Sequence, residues 1–127
     1  MDTQIYLAIP YNHTNIIVRW IRMRVATYFT AMLMMRGFIV FSPITHSHHV
    51  NKFVHKRFNN HDFWLGQDFP ILDWAHKLII VKMIGWDKSY GIGKEIHQAK
   101  ATNKHIQYLV PKRLDIIKAI LGIKPRI

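Results

Sequence analysis

An α/β fold built on a parallel sheet is what this sequence predicts, and three observations carry the prediction. Four short apolar runs rich in branched residues recur along the chain: Ile5–Ala8, Phe38–Ser42, Lys77–Met83 and His105–Val110. Between them lie longer stretches of helical character, and Pro10, Pro43 and Pro111 close three of the runs. The resulting β-α-β-α-β-α-β-α order, with right-handed crossovers, implies a three-layer α/β sandwich. Its parallel sheet has four or five strands in the flavodoxin-like or Rossmann-like order 2-1-3-4, with helices on both faces. At 127 residues the chain forms one domain, spanning 1–127, with enough length for a sizeable core.

In order, the first strand stops at Pro10, and Asn12 or Thr14 is expected to cap a helix running to about Arg36. On that helix Ile17, Trp20, Ile21, Tyr28, Ala31, Met32 and Met35 fall near a 3.6-residue repeat, with Arg19, Arg22 and Arg36 off it. Gly37 suits the position after the helix, before the second strand. Ile44–Asn60 is polar, histidine-rich and without clear periodicity, and it reads as a long functional loop or lid. Asp62–Trp74 reads as a helix that Pro70 should kink or delay. A strand, a helix after Gly91, the strand His105–Val110 and a short helix Leu114–Leu121 complete the chain.

Composition narrows the classes of function. The formal net charge of +11 and a pI near 10.2 favour anionic partners, and the charge is spread over the chain without a nucleic-acid arm. With no cysteine, disulfides and zinc–thiolate sites are excluded. The longest uncharged apolar run, Val25–Met35, is too short to span a bilayer. MDTQIYLAIP lacks a basic region followed by a long apolar segment, so no secretory leader is expected and a cytoplasmic location is.

The chemistry concentrates in Lys77–Thr102: a buried strand, a short loop with Trp86, Asp87 and Ser89, then a helix with Gly91 and Gly93 at its mouth. Glycines there let a ligand approach the backbone, and free N–H groups favour an anion. Glu95 is placed on the first turn, where the helix would keep it ionised as a nucleophile requires; complementing the helix dipole is the simpler role. In a 2-1-3-4 sheet, ligands bind beyond the carboxyl ends of the strands between strands 1 and 3. This gathers Tyr6, Pro10, Tyr11 and Asn12 opposite Trp86, Asp87, Ser89 and Glu95. Trp86 either stacks on a base or covers the sheet end, and Asp87 either bonds the ligand or makes an Asx-turn.

Four motifs occur in an order that resembles nucleoside 2-deoxyribosyltransferase-like proteins. They are Tyr6-Leu7-Ala8-x-Pro10-Tyr11, Phe41-Ser42-Pro43 followed by His46-Ser47-His48, Asp68 in GQDFPIL, and Ser89-x-Gly91-x-Gly93-x-Glu95. The chain is most similar to the small bacterial and phage branch, and its SYGIGKE segment resembles that of the 2′-deoxynucleoside 5′-monophosphate N-hydrolases. The resemblance implies cleavage of an N-glycosidic bond of a nucleoside or nucleotide. Glu95 would be the nucleophile, Asp68 would orient the sugar or protonate the leaving base, and Ser89 with Gly91 and Gly93 would hold the 5′ end. His46 and His48 would take substrate-pocket or structural roles. The resemblance also implies a homodimer or larger oligomer, no cofactor, and the host's cytoplasm were the chain phage-encoded. Asn12 stands where the N-hydrolases carry a phosphate-binding arginine, and Ile9 where relatives carry a small residue.

Two further readings follow from the residues. A non-catalytic nucleotide-binding module is the alternative on the same fold, and a basic nucleic-acid-associated protein is a third, less favoured one. The histidines at 46, 48 and 49 lack a convincing third ligand, so no metal site is expected.

Overall fold

A computed structural model describes residues 3–126. Its elements are β1 (Gln4–Ala8), α1 (Ile16–Met35), β2 (Ile39–Phe41), α2 (Pro43–Val50), α3 (His61–Trp74), β3 (Lys77–Val81), α4 (Tyr90–Ala101), β4 (His105–Leu109) and α5 (Arg113–Leu121). Single 3-10 turns cover Asn51–Phe53 and Trp86–Lys88. The strands form one four-stranded sheet in the order β2-β1-β3-β4, every pair parallel. β1 and β3 pair from Ile5 opposite Lys77 to Ala8 opposite Ile80, which aligns their carboxyl ends.

Alternation along the strands divides the core into two. Ile5 and Leu7 of β1, with Ile79 and Val81 of β3, face α1 and α5 and meet Val25, Ala26, Phe29 and Ala119. Tyr6 and Ala8, with Leu78 and Ile80, face the other way, against Leu72 of α3 and Ile92 and Ala99 of α4. The sheet is therefore covered on both faces, as its near-continuous apolar strands require. The same alternation aims Tyr6 at α4.

Local chemistry fixes the helix ends. Asn15 caps α1 by accepting from the Ile17 N–H at 2.8 Å, one of the four donors a helix start leaves free. Asn60 caps α3 through the Phe63 N–H at 2.9 Å, and α3 runs on through Pro70. α5 is tied to α1 by Arg24 Nε donating to the Ala119 carbonyl at 2.9 Å and by the Tyr28 hydroxyl donating to Asp115 at 3.3 Å.

Asn15, not the expected Asn12 or Thr14, is the α1 cap, and two further expectations are corrected. The start of the segment Ile44–Asn60, read as loop, belongs to the helix Pro43–Val50: Pro43 ends β2 and at the same time occupies the first turn of α2, where its fixed φ and missing N–H fit. The apolar stripe of α1 is also displaced. Ile17 and Met35 are exposed, whereas Arg22, Val25, Ala26, Phe29 and Leu33 are buried. α1 carries apolar residues on nearly every side, so periodicity alone did not select the face that packs. Val25 and Ala26, both fully buried, are among the residues that meet the sheet. No helix among the described residues is long and apolar enough to cross a membrane.

Candidate active site

A cavity of about 800 Å³ opens beyond the carboxyl ends of β1 and β3, at the switch point of the sheet. The end of β1 contributes Ala8 and Ile9, and the following loop Tyr11, Asn12, His13 and Thr14. Ser47 and Asn51 come from α2 and the turn after it, while Trp64, Leu65 and Asp68 come from α3. Ser89, Gly91, Ile92 and Glu95 come from the mouth and second turn of α4. A cleft of this size, apolar in part with a few converging polar groups, is the usual form of a small-molecule site.

At its floor the Tyr6 hydroxyl donates a hydrogen bond to the Glu95 carboxylate, and both side chains are buried. α4 begins at Tyr90 with Ser89 as its cap, the Ser89 hydroxyl accepting from the Ile92 N–H at 3.3 Å. Glu95 is thus on the second turn, beyond the free N–H groups that were expected to hold it ionised. Burial instead pushes its pKa up to about 8, with the Tyr6 bond opposing and the Asp68 charge adding to the rise. Asp68 is raised to about 6 by burial. The Tyr6 hydroxyl is held well above its ordinary range, first by burial and then by the negative charge of Glu95 and Asp68. Both carboxyls therefore titrate near neutrality, in the range useful for acid–base work.

The wall above this floor is polar and cationic. The Tyr11 hydroxyl and His48 Nδ1 lie 2.6 Å apart. Burial, together with His49, Lys52 and Arg19, lowers the His48 pKa. Trp64 Nε1 donates to Asn59 Oδ1 at 2.7 Å, and Asn59 Nδ2 donates to Asn51 Oδ1 at 2.7 Å. A second chamber of about 350 Å³ adjoins the first and shares Tyr11, Asn12, His61, Ser89 and Gly91 with it. Pro10, Arg22 and Lys88 complete its basic wall with Gly85 and Tyr90. Arg22 is buried and donates to the carbonyls of Asn12 at 3.1 Å and Ile84 at 2.9 Å. Gly85 permits this: its φ is +92°, and a Cβ there would come within 3.2 Å of Arg22 Nη2.

Of the residues singled out in the sequence, Asn12, Asp68, Ser89, Gly91 and Glu95 line the main cavity, Tyr6 bonds to its floor, and Pro10 lines the second chamber. His48 stands behind Tyr11 as its support. Four others lie elsewhere. His46 is exposed, its ring 6.1 Å from that of Phe41, because α2 turns it away from the cavity its neighbour Ser47 lines. Trp86 packs 5.4 Å from the Tyr108 ring, with Lys82 above it at 5.1 Å, so it covers the end of the sheet. Asp87 and Gly93 are exposed and line neither chamber.

Sequence reasoning missed Arg19, Arg22, Trp64 and Lys88. Arg19 and Arg22, one helical turn apart just after the first βα loop, did carry a signal: that position faces the switch point. Trp64 carried none, since its place in the wall depends on how Asn59 turns the chain into α3. Among the described residues, no three His, Asp or Glu side chains gather as metal ligands would.

Residues 3–110 match the family described as Domain of unknown function (DUF1937), and the chain belongs to that family. No curated protein matches the sequence.

Proposed function

We propose that this DUF1937 domain is an N-glycosidase, cleaving the base–sugar bond of a nucleoside or nucleoside 5′-monophosphate as a hydrolase or a deoxyribosyltransferase. One observation carries the reading: a buried carboxylate held by a buried tyrosine, with a second carboxyl in the same cavity, at the switch point of a parallel sheet. The ordered motifs that resemble nucleoside 2-deoxyribosyltransferases add to it.

In this reading ionised Glu95 attacks the anomeric carbon while the bond to the base nitrogen breaks and its electrons leave with the base. Asp68 gives the base its proton; with Glu95 near 8 and Asp68 near 6, the reacting form, Glu95 ionised and Asp68 protonated, is the minor one at neutral pH. A glycosyl-enzyme remains, and water or a second base then displaces Glu95 from the sugar. Tyr6 steers the carboxylate and supports its charge. The 5′ end would lie at Ser89 and Gly91, where the second chamber offers Arg22 and Lys88 in place of the arginine that Asn12 replaces. Trp64 would take the base. A cytoplasmic enzyme acting as a homodimer or larger oligomer is part of the same reading.

A non-catalytic nucleotide binder is the second reading, and the Glu95 pKa of about 8 favours it, since a neutral carboxyl donates a hydrogen bond but does not attack. Release of free base from a panel of nucleosides and 5′-monophosphates separates the two. Base release by the wild type, lost in Glu95→Ala, is the expected result. Stabilisation of the wild type by one nucleotide without any release would select the binder. Release unchanged in Glu95→Ala would remove the nucleophile from the scheme.

A further inference from the structure

The connection between α2 and α3 is left without a task by the chemistry at the cavity floor. Phe53 projects with 89% of its surface exposed, and Phe58 is exposed as well. Lys52, Lys56 and Arg57 are interleaved with them, all exposed, and the Arg57 guanidinium sits 4.8 Å from the Phe58 ring centroid. No Asp or Glu occurs from Thr3 to His61, so these cations have no acidic neighbours along the chain. Asn51 and Asn59, from the same connection, line the main cavity and bond to one another, so the surface runs into the mouth of the pocket. The second chamber, which shares residues with this pocket, adds Arg22 and Lys88.

We propose that this connection is a binding surface for single-stranded nucleic acid. Unpaired bases stack on exposed aromatic rings whatever their identity, while cations beside the rings track the backbone phosphates. Phe53 supplies an open ring face, and Phe58 supplies a second ring with the Arg57 guanidinium over it. Lys52 and Lys56 meet the phosphates. A second copy of this chain is a poorer occupant, because a chain with 18 Lys and Arg against 7 Asp and Glu offers little negative charge to meet the patch. A bilayer would match the aromatics and cations, but it would not use Asn51 and Asn59, whose amides face a pocket sized for a nucleoside. Delivery of one nucleotide from the bound strand into the pocket rests on the glycosidase reading; the binding itself does not.

The test is fluorescence anisotropy of a labelled single strand about a dozen nucleotides long, since single-strand sites span up to ~16 nucleotides. DNA and RNA forms are compared, from about 50 to 200 mM salt. The expected result is binding that weakens steeply with salt and persists in Glu95→Gln. Phe53→Ala should weaken it roughly ten-fold, the loss expected of one stacked base. The double variant Lys56→Ala/Arg57→Ala should make the salt dependence shallower. Since these side chains are exposed, the variants should fold, and thermal melts confirm that. No binding at the lowest salt would overturn the proposal. So would binding equally strong in all the variants, or Phe53-dependent binding to anionic vesicles or self-association without any to the oligonucleotide. Base release from mononucleotides without strand binding would leave the glycosidase standing and remove this inference, whereas strand binding without base release would do the reverse.

Discussion

The floor and the rim of the cavity are built on opposite physical terms. Tyr6 is fully buried and Glu95 is 7% exposed, on a strand and a helix that pack against each other through Ile92 and Leu78. Phe53, on the rim, is 89% exposed. At the floor, a charge has few compensating partners and a low dielectric around it, so carboxyls are pushed toward neutral pH and stability is given up to keep them there. At the rim, charges are solvated, and stacking and phosphate contacts are available without any cost to the fold. On the proposed reading, the contrast separates two duties: reactivity where the side chains are buried, and recognition where they are exposed.

The largest effect should come from Glu95→Gln, and it should have two signs. Base release should fall by about a thousand-fold or more, as when a nucleophile is lost. Stability should rise. A carboxyl whose native pKa is about 8, against an ordinary 4.5, keeps its proton in the folded state after the unfolded chain has released it. Its contribution therefore favours folding least above pH 8 and is lost progressively as pH climbs from 4.5. Denaturant melts at several pH values should show the variant's advantage growing through that window and levelling above it, at about 2–4 kcal/mol. On the rim, Lys56→Ala should change stability by no more than about 0.5 kcal/mol, with no such pH trend. An equal trend in both variants would erase the contrast between floor and rim.

Tyr6→Phe should act next in size. Removing the hydroxyl takes away the one contact that lowers the Glu95 pKa, so the ionised form becomes rarer at neutral pH. kcat/KM at pH 7 should fall by about ten-fold or more, and its falling limb, whose break is the higher of the two values and belongs to Glu95, should move to higher pH. Loss of rate with the limb unmoved would mean that Tyr6 contributes shape and no electrostatic support.

How much of this the sequence disclosed follows from the range of the interactions. The strands, their parallel order and the switch point were legible, because short branched runs closed by prolines and separated by helical lengths leave few topologies. Tyr6, Asp68, Ser89 and Glu95 were legible through motif order together with topology. The ionisation state of Glu95 was not: it depends first on burial, then on the Tyr6 hydrogen bond and the Asp68 charge, from residues 89 and 27 positions away in the chain. The α2 helix was hidden because eight residues are too few to display a period, and its polar face resembles a loop. Arg22 was hidden because a buried arginine bonded to two carbonyls violates the pattern that places cations on the outer face.

The smallest effect tests whether the glycines of α4 belong together. Gly91 lines both chambers, whereas Gly93 is exposed one helical step further on, and a Cβ placed there would meet nothing within 4 Å. Its backbone is helical, so alanine needs no special conformation. Gly93→Ala should therefore stabilise the domain by roughly 0.5–1 kcal/mol, because alanine loses less backbone freedom than glycine on entering a helix. Base release should be unchanged. Thermal melts and the nucleoside panel together decide it. A stabilised but inactive variant would show that substrate also contacts the α4 face that carries Gly93, which neither chamber includes.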